Sequence, residues 1–330
     1  KDSVGNESNV ATSDSFVLDT IAPTAPIFTS QPSTPSNDTT PTWEWSESSD
    51  ITQVQYRYSI WKNGSQLGSW SNWANLISYT PNVDSGTYLL KIQAKDEAGN
   101  ESSITTSNPF VLDTTASGIP SPSSSDYTND TTPTWSWLAV DGAVTYRLKL
   151  NGVSKGDSNA TSYTAPTLSE GNHTFEVASI DSVGNVSAYG SHTVTIDVTP
   201  PSAPAFTSQP PLYGHDPKPV WSWGAVSGAK LYYYRLLRDS GNGPSIVLDW
   251  QSNNGSTLTY QAQENQLQNP AIWYLELKCE DSAGNESGVN RSTSYDFNAT
   301  TFSAIIFSSQ PSSPSNNTTP TWSWNAINKP

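Results

Sequence analysis

A Trp-x-Trp pair set two residues behind a proline occurs four times along this chain, and no other feature restricts its folding as strongly. The copies are Thr39-Thr40-Pro41-Thr42-Trp43-Glu44-Trp45, Thr131-Thr132-Pro133-Thr134-Trp135-Ser136-Trp137, Pro219-Val220-Trp221-Ser222-Trp223 and Thr319-Pro320-Thr321-Trp322-Ser323-Trp324. A strand turns alternate side chains to opposite faces, so both indoles of a pair point the same way. The residue between them is Glu or Ser, which makes the shared face the buried one. Proline is tolerated at a strand start, where no ladder donor is needed. The leading tryptophans stand 92, 86 and 101 residues apart. Each pair therefore reads as the core strand of one domain in a tandem array.

A second element recurs with it. Asp2-Ser3-Val4-Gly5-Asn6-Glu7-Ser8 returns as Asp96-Glu97-Ala98-Gly99-Asn100-Glu101-Ser102, Asp181-Ser182-Val183-Gly184-Asn185-Val186-Ser187 and Asp281-Ser282-Ala283-Gly284-Asn285-Glu286-Ser287. This is hairpin chemistry: Asp bonds backbone amides just ahead of it, and Gly supplies a positive φ. Alternating strands flank it, among them Leu90-Ile92-Ala94, Phe175-Val177-Ser179 and Leu275-Leu277-Cys279. Two further strands are marked by Tyr56-Arg57-Tyr58, Tyr146-Arg147-Leu148 and Tyr234-Arg235-Leu236, and by Tyr79, Tyr163 and Tyr260. From each turn Asp to the next leading Trp the spacing is 41, 39, 40 and 41 residues; from Trp to the following Asp it is 53, 46 and 60. Length varies in one region only, mostly between the two tyrosine strands, where loops on a fixed scaffold carry specificity.

Short linkers, stiffened by proline in two cases, follow each closing strand: Asp19-Thr20-Ile21-Ala22-Pro23, Asp113-Thr114-Thr115-Ala116 and Asp197-Val198-Thr199-Pro200-Pro201. The expected boundaries are thus a C-terminal fragment of a repeat at 1–20, complete β-sandwich repeats at 21–115, 116–199 and 200–300, and an N-terminal fragment at 301–330. The chain lacks Met and begins inside a repeat, as an excerpt of something longer would.

Seven or so short alternating strands in about 90 residues describe a two-sheet β-sandwich. A core Trp, then Tyr56-Arg57-Tyr58, then Tyr88-Leu89-Leu90-Lys91-Ile92-Gln93-Ala94 before the glycine turn resembles a fibronectin type III domain. The run Asn129-Asp130-Thr131-Thr132-Pro133-Thr134 and the Asp-Ala-Gly-Asn-x-Ser turn resemble bacterial Ig-like repeats. In two places the chain departs from the pattern: His173 and Trp273 stand where Tyr88 stands, and His215-Asp216-Pro217-Lys218 replaces Asn-Asp-Thr-Thr. The resemblance implies an all-β class, tandem Ig-like or fibronectin type III-like sandwiches arranged as an extended rod. It also implies an extracellular or bacterial cell-surface location and a structural stalk or spacer role in a large adhesin, with neighbouring repeats as partners.

Bulk chemistry narrows the function. Fifteen Lys plus Arg against thirty Asp plus Glu give a net charge of -15, which repels phosphate backbones and argues against nucleic acid. Cations are the expected partners. No apolar run reaches the roughly 18 residues of a spanning helix. The lone Cys279 excludes an internal disulfide, and its alignment with Ala94 and Ser179 marks it as small core filler. His173, His192 and His215 share no metal-like spacing, and no nucleophile elbow, phosphate loop or zinc pattern occurs. No catalytic role or cofactor is expected beyond calcium.

Two constellations remain. Trp61, Trp70 and Trp73 fall in the variable region of the first repeat. Trp61 is out of phase with Tyr56, Tyr58 and Ile60, so it is expected to face solvent. Such rings either stack on a glycan, anchor a protein contact or cover a sandwich edge. A glycan-binding module is thus the alternative function, and an accessory region of a secreted polysaccharide-degrading enzyme a third. The other constellation is acid at the joints. In a sandwich of this topology the glycine turn and the loop after Trp-x-Trp lie where the preceding linker arrives. That places Asp19 near Glu47, Asp50 and Asp96, and Asp113 near Asp141 and Asp181. Asp197 and Asp281 meet at the third joint, expected to bind metal weakest because Ala225-Val226-Ser227-Gly228 offers no carboxylate. Hard oxygen ligands suit calcium; ordinary surface acidity is the other reading.

Overall fold

The computed structural model describes residues 1–253, 255, 257–268, 271–298, 307–311, 313, 316 and 318–324. All regular structure among them is β-strand. The expected boundary near residue 300 and the end of the last fragment lie outside the described residues.

The first sandwich contains strands β1 (Phe28–Ser30), β2 (Trp43–Trp45), β3 (Gln55–Lys62), β4 (Ser65–Leu67), β5 (Ser78–Tyr79), β6 (Gly86–Lys95), β7 (Thr105–Thr106) and β8 (Phe110–Leu112). One sheet runs β1-β2-β5; the other runs β4-β3-β6-β7, with β8 also pairing β6. The alternation of β2 places Trp43 and Trp45 in the interior at 0% and 1% exposure and turns Glu44 outward. They pack with Tyr56, Tyr88, Leu90, Ile92, Phe110 and Leu112 into one core. Pro32 and Pro35 interrupt the opening strand, so the chain leaves the first sheet after β1. It then rejoins the second at Ser36, which bridges Leu112 in parallel.

The third sandwich repeats the plan. Phe206–Ser208, Val220–Trp223 and Thr259–Gln261 form one sheet; Ala229–Asp239 and Ala271–Asp281 are the long central strands of the other. Its separate core holds Trp221, Trp223, Leu236, Trp273, Leu275, Leu277 and Cys279. Register corrects one alignment made from sequence. Tyr56 faces Ala94, Tyr146 faces Ser179, and it is Tyr232 that faces Cys279. Each of these tyrosines accepts an amide through its hydroxyl: Ser48 N at 2.6 Å, Val140 N at 2.9 Å and Val226 N at 2.7 Å. Tyr234 instead faces Leu277, as Tyr58 faces Ile92. A Leu-Tyr-Tyr-Tyr run offers several tyrosines at one spacing, and only pairing resolves which is which.

The chain divides into two compact units: Lys1–Pro122 with Trp137–Thr161 and Phe175–Ser191, and Ser123–Ser136 with Ser162–Thr174 and the chain from His192 onward. The middle repeat contributes residues to both. In the first unit, Ala143–Leu150 pairs with Val153–Ser158 and with the Phe175–Asp181 stretch. In the second, Thr134–Ser136 pairs with Ser162–Thr164, and Tyr127–Thr128 runs parallel to Thr195 and Ile196. Trp135 and Trp137 are buried, at 0% and 5% exposure.

Among the described residues, the two partial repeats show no such core. Phe16 and Leu18 are 87% and 75% exposed, whereas Phe110 and Leu112 at the matching positions are 1% and 2%. Phe307–Ser309 pairs with Ser323–Trp324, yet Trp322 and Trp324 stay 54% and 60% exposed.

Candidate functional site: the joints between repeats

The joint is built on the glycine turn. Asp96 Oδ1 accepts the amides of Gly99 and Asn100 at 2.7 and 2.8 Å, and Oδ2 accepts Asn100 Nδ2 at 2.8 Å. Asp181 and Asp281 bind Asn185 and Asn285 in the same manner at 2.9 Å. Gly99, Gly184 and Gly284 sit at φ between 91° and 99°, where a side chain would be strained. Burial pushes the three carboxyl pKa values up, but the turn's hydrogen bonds outweigh it and hold each below the ordinary value.

Each Asn has a second partner. Asn100 Nδ2 donates to the carbonyl of Asp19 at 3.2 Å, Asn185 Nδ2 to that of Asp113 at 2.9 Å, and Asn285 Nδ2 to that of Asp197 at 2.7 Å. The acceptor is each time the Asp that closes the preceding repeat. The linker is then fastened further along: Thr24 exchanges bonds with Ser49, Ser179 Oγ donates to Gly118 O, and Asn290 Nδ2 donates to Pro204 O. The sequence pointed to the acids at these joints and missed the amides. Their signal is the recurrence of Asn in all four turns, a residue that hairpin chemistry alone also favours.

At the first joint three carboxylates converge. One oxygen from each of Asp19, Asp50 and Asp96 lies within 4.8 Å of the others, the only such set among the described residues. Two oxygens bound to one calcium at about 2.4 Å are at most about 4.8 Å apart, so the set fits that ion. Asp50 Oδ1 is fixed by the amide and hydroxyl of Thr52, and Asp19 Oδ1 by the amide of Ile21. Asp19 Oδ2 is buried and has no hydrogen-bond partner. Glu47 is exposed and outside the set. The expected second site does not assemble: Asp113, Asp141 and Asp181 form no comparable set, and Asp141 is exposed. At the third joint Asp197 and Asp281 line a shallow groove of about 540 Å³ with Glu170, without converging. Glu170 there accepts the Thr199 hydroxyl at 3.1 Å.

The tryptophans of the first repeat form a different structure. Arg57 lies 5.1 Å from the Trp70 ring and 4.4 Å from that of Trp73; Lys95 lies 4.7 Å from Trp73, and Lys91 3.8 Å from Trp61. All three rings are half-buried, so Trp61 is covered by Lys91 instead of standing free in solvent. Cations of the same chain lie over indole faces that a sugar ring would need. In the third sandwich Arg235 and Lys278 lie over Trp250 in the same way.

Two helix-free sheets per repeat, with the linkers after Leu112 and Ile196 held by the turn of the next repeat, define a tandem array of Ig-like, fibronectin type III-like sandwiches. Residues 116–198 match the model of a protein family described as the bacterial Ig-like domain. Among solved structures, the chain is similar to the FN1–FN3 domains of chicken CNTN1, at 11% identity and a TM-score of 0.37, covering 84% of this chain and 99% of that one. It is also similar to the fibronectin(III)-like modules of Clostridium thermocellum CbhA, at 15% identity and a TM-score of 0.31, covering 52% of this chain and 94% of that one. No curated protein matches. Among the described residues, no helix is long and apolar enough to cross a membrane.

Proposed function

We propose that this chain is a non-catalytic spacer segment of a large bacterial surface or secreted adhesin, with calcium bound where the linker meets the first complete repeat. The carrying observation is that the carbonyls of Asp19, Asp113 and Asp197, each at the start of a linker, are all held by the asparagine of the turn that follows. A string of sandwiches so joined sets a distance, and a spacer needs nothing else. An extracellular setting accords with the Ig-like match of residues 116–198.

Calcium belongs to the first joint alone. Three carboxylates at close range repel one another, by about 1 kcal/mol per pair at about 4 Å even in water, and a divalent cation reverses that sign. The unpartnered oxygen of Asp19 is the ligand such an ion would satisfy. Asp50 and Asp96 would supply the others, with Thr52 and the turn amides keeping them in place. Calorimetric titration of the chain with calcium should give one site per chain, abolished in Asp19→Asn and retained in Asp141→Asn. Absence of binding, or equal binding in D19N, would leave the three acids as surface charge. A radius of gyration matching a compact chain would overturn the spacer role itself.

A further inference from the structure

We infer that the Asn-Asp-Thr-Thr loop and the Asp-x-x-Gly-Asn turn are the two halves of one docking interface, so that a repeat bearing the loop recognises the turn of the repeat that follows it. The turn side has been described: its Asn reaches back to the closing Asp carbonyl. The loop side comes from the same preceding repeat. Asn129 N, in the loop of the second repeat, donates to Ala283 O in the turn of the third at 3.1 Å. A Cβ at Gly284 would lie 3.7 Å from Asn129 Nδ2, so the loop is seated on the glycine. One joint earlier the arrangement recurs: a Cβ at Gly184 would lie 3.5 Å from Asn37 Nδ2, again loop against glycine turn.

The loop is shaped for this independently of its partner. Asp38 Oδ1 accepts both the amide and the hydroxyl of Thr40 at 2.9 Å, and Asp130 does the same for Thr132 at 2.8 Å. Ser36 and Thr128 hydroxyls accept the amides of Asp38 and Asp130, which leaves the preceding Asn projecting. The two contacts flank the second and third joints. One comes from the closing strand and one from a loop some 70 residues earlier (Asp197 and Asn129, Asp113 and Asn37), so together they fix an angle that a single hydrogen bond leaves free. Neither the spacer role nor calcium is needed for this pairing.

The third repeat differs in the loop half alone. His215 stands in place of Asn, and its Nδ1 is engaged with Asn298 O of its own sandwich. Asp216 still holds the loop through the Lys218 amide at 2.8 Å. Its turn half, Asp281 to Asn285, is intact. The third repeat can therefore be received by an Asn-Asp loop, but does not present one to a successor.

The test reads across a joint. Asn285→Ala in the intact chain removes the back-reaching donor, while Asp281 still holds the turn through the amides of Ala283 and Asn285. Hydrogen exchange followed by NMR should show protection of the Asn129 amide, which lies in the preceding repeat, falling about tenfold, the size of one net hydrogen bond. The core amides of Leu275 and Cys279 should keep theirs. Unchanged protection at Asn129 would overturn the pairing. If the variant unfolds the third repeat, Asn285→Ser is read by the same three amides, with the same two outcomes deciding.

Discussion

At the residue scale the two indoles of the pair in each complete repeat do most to hold its sandwich together, because no disulfide assists them. Trp135 is fully buried while Ser136, its neighbour on the other face, is exposed. Burying a Trp removes about 150–250 Å² from water, and truncating one in a core costs about 3–5 kcal/mol. Domain stability is about 5–15 kcal/mol in total. Trp135→Ala should therefore lower the denaturant midpoint of the middle repeat severely, whereas Ser136→Ala should leave it nearly unchanged. Equal midpoints would contradict the strand phase. That phase was readable without coordinates, since alternation is a property of the strand itself. The partner of a given residue was not. In sequence His173 departs from Tyr88, yet its Nε2 meets Ser169 O at 2.8 Å just as the Tyr88 hydroxyl meets Asp84 O at 2.8 Å. A ring nitrogen and a phenol reach the same carbonyl four residues back, and residue identity alone hides that equivalence.

At the scale of the element, the glycine turn is the most uniform piece of the chain and the one whose behaviour depends on pH. Asp96, Asp181 and Asp281 each have a folded pKa below the ordinary value. A group depressed on folding stabilises the native state above its unfolded pKa, about 3.9 for Asp, and loses that contribution as pH falls through the folded value. Denaturant midpoints should stay level from pH 7 to about 5 and decline below about pH 4. Asp181→Asn, which keeps an acceptor but cannot titrate, should flatten the decline in the middle repeat. A decline as steep as that of the parent chain would assign acid sensitivity to other carboxylates. The turn and the paired acids at the first joint were legible because Asp, Gly and Asn recur at fixed spacing. The failure of Asp113 and Asp141 to join Asp181 was not. Proximity of loops follows from topology, but convergence of carboxylates to within 4.8 Å depends on backbone detail that spacing does not encode. The cation–π stacks were hidden for a related reason. Arg57, Lys91 and Lys95 stand on two paired strands, and only the register of Gln55 against Lys95 brings Arg57 and Lys95 beside Trp73 and Lys91 beside Trp61.

For the whole molecule the arithmetic of size gives the clearest test. The cores around Trp43 and around Trp221 share no residue, and each is closed by its own pair of sheets. A chain of 330 residues packed around one centre would have a radius of gyration of about 20 Å, and the same chain unfolded about 65 Å. A spacer must fall between these limits, because its sandwiches are ordered while their centres are held apart. The net charge of -15 acts in the same direction, since like-charged domains gain nothing by folding back on one another at low ionic strength. Small-angle scattering of the intact chain should therefore give a radius of gyration well above about 20 Å and well below about 65 Å. It should change little between low salt and about 0.5 M salt, because the joints are held by hydrogen bonds to backbone carbonyls and not by surface charge. A value near about 20 Å in both buffers would mean that the sandwiches cluster, and the spacer role would have to be abandoned. A value that collapses on adding salt would show that repulsion alone had kept them apart, leaving the asparagine bonds without a mechanical part.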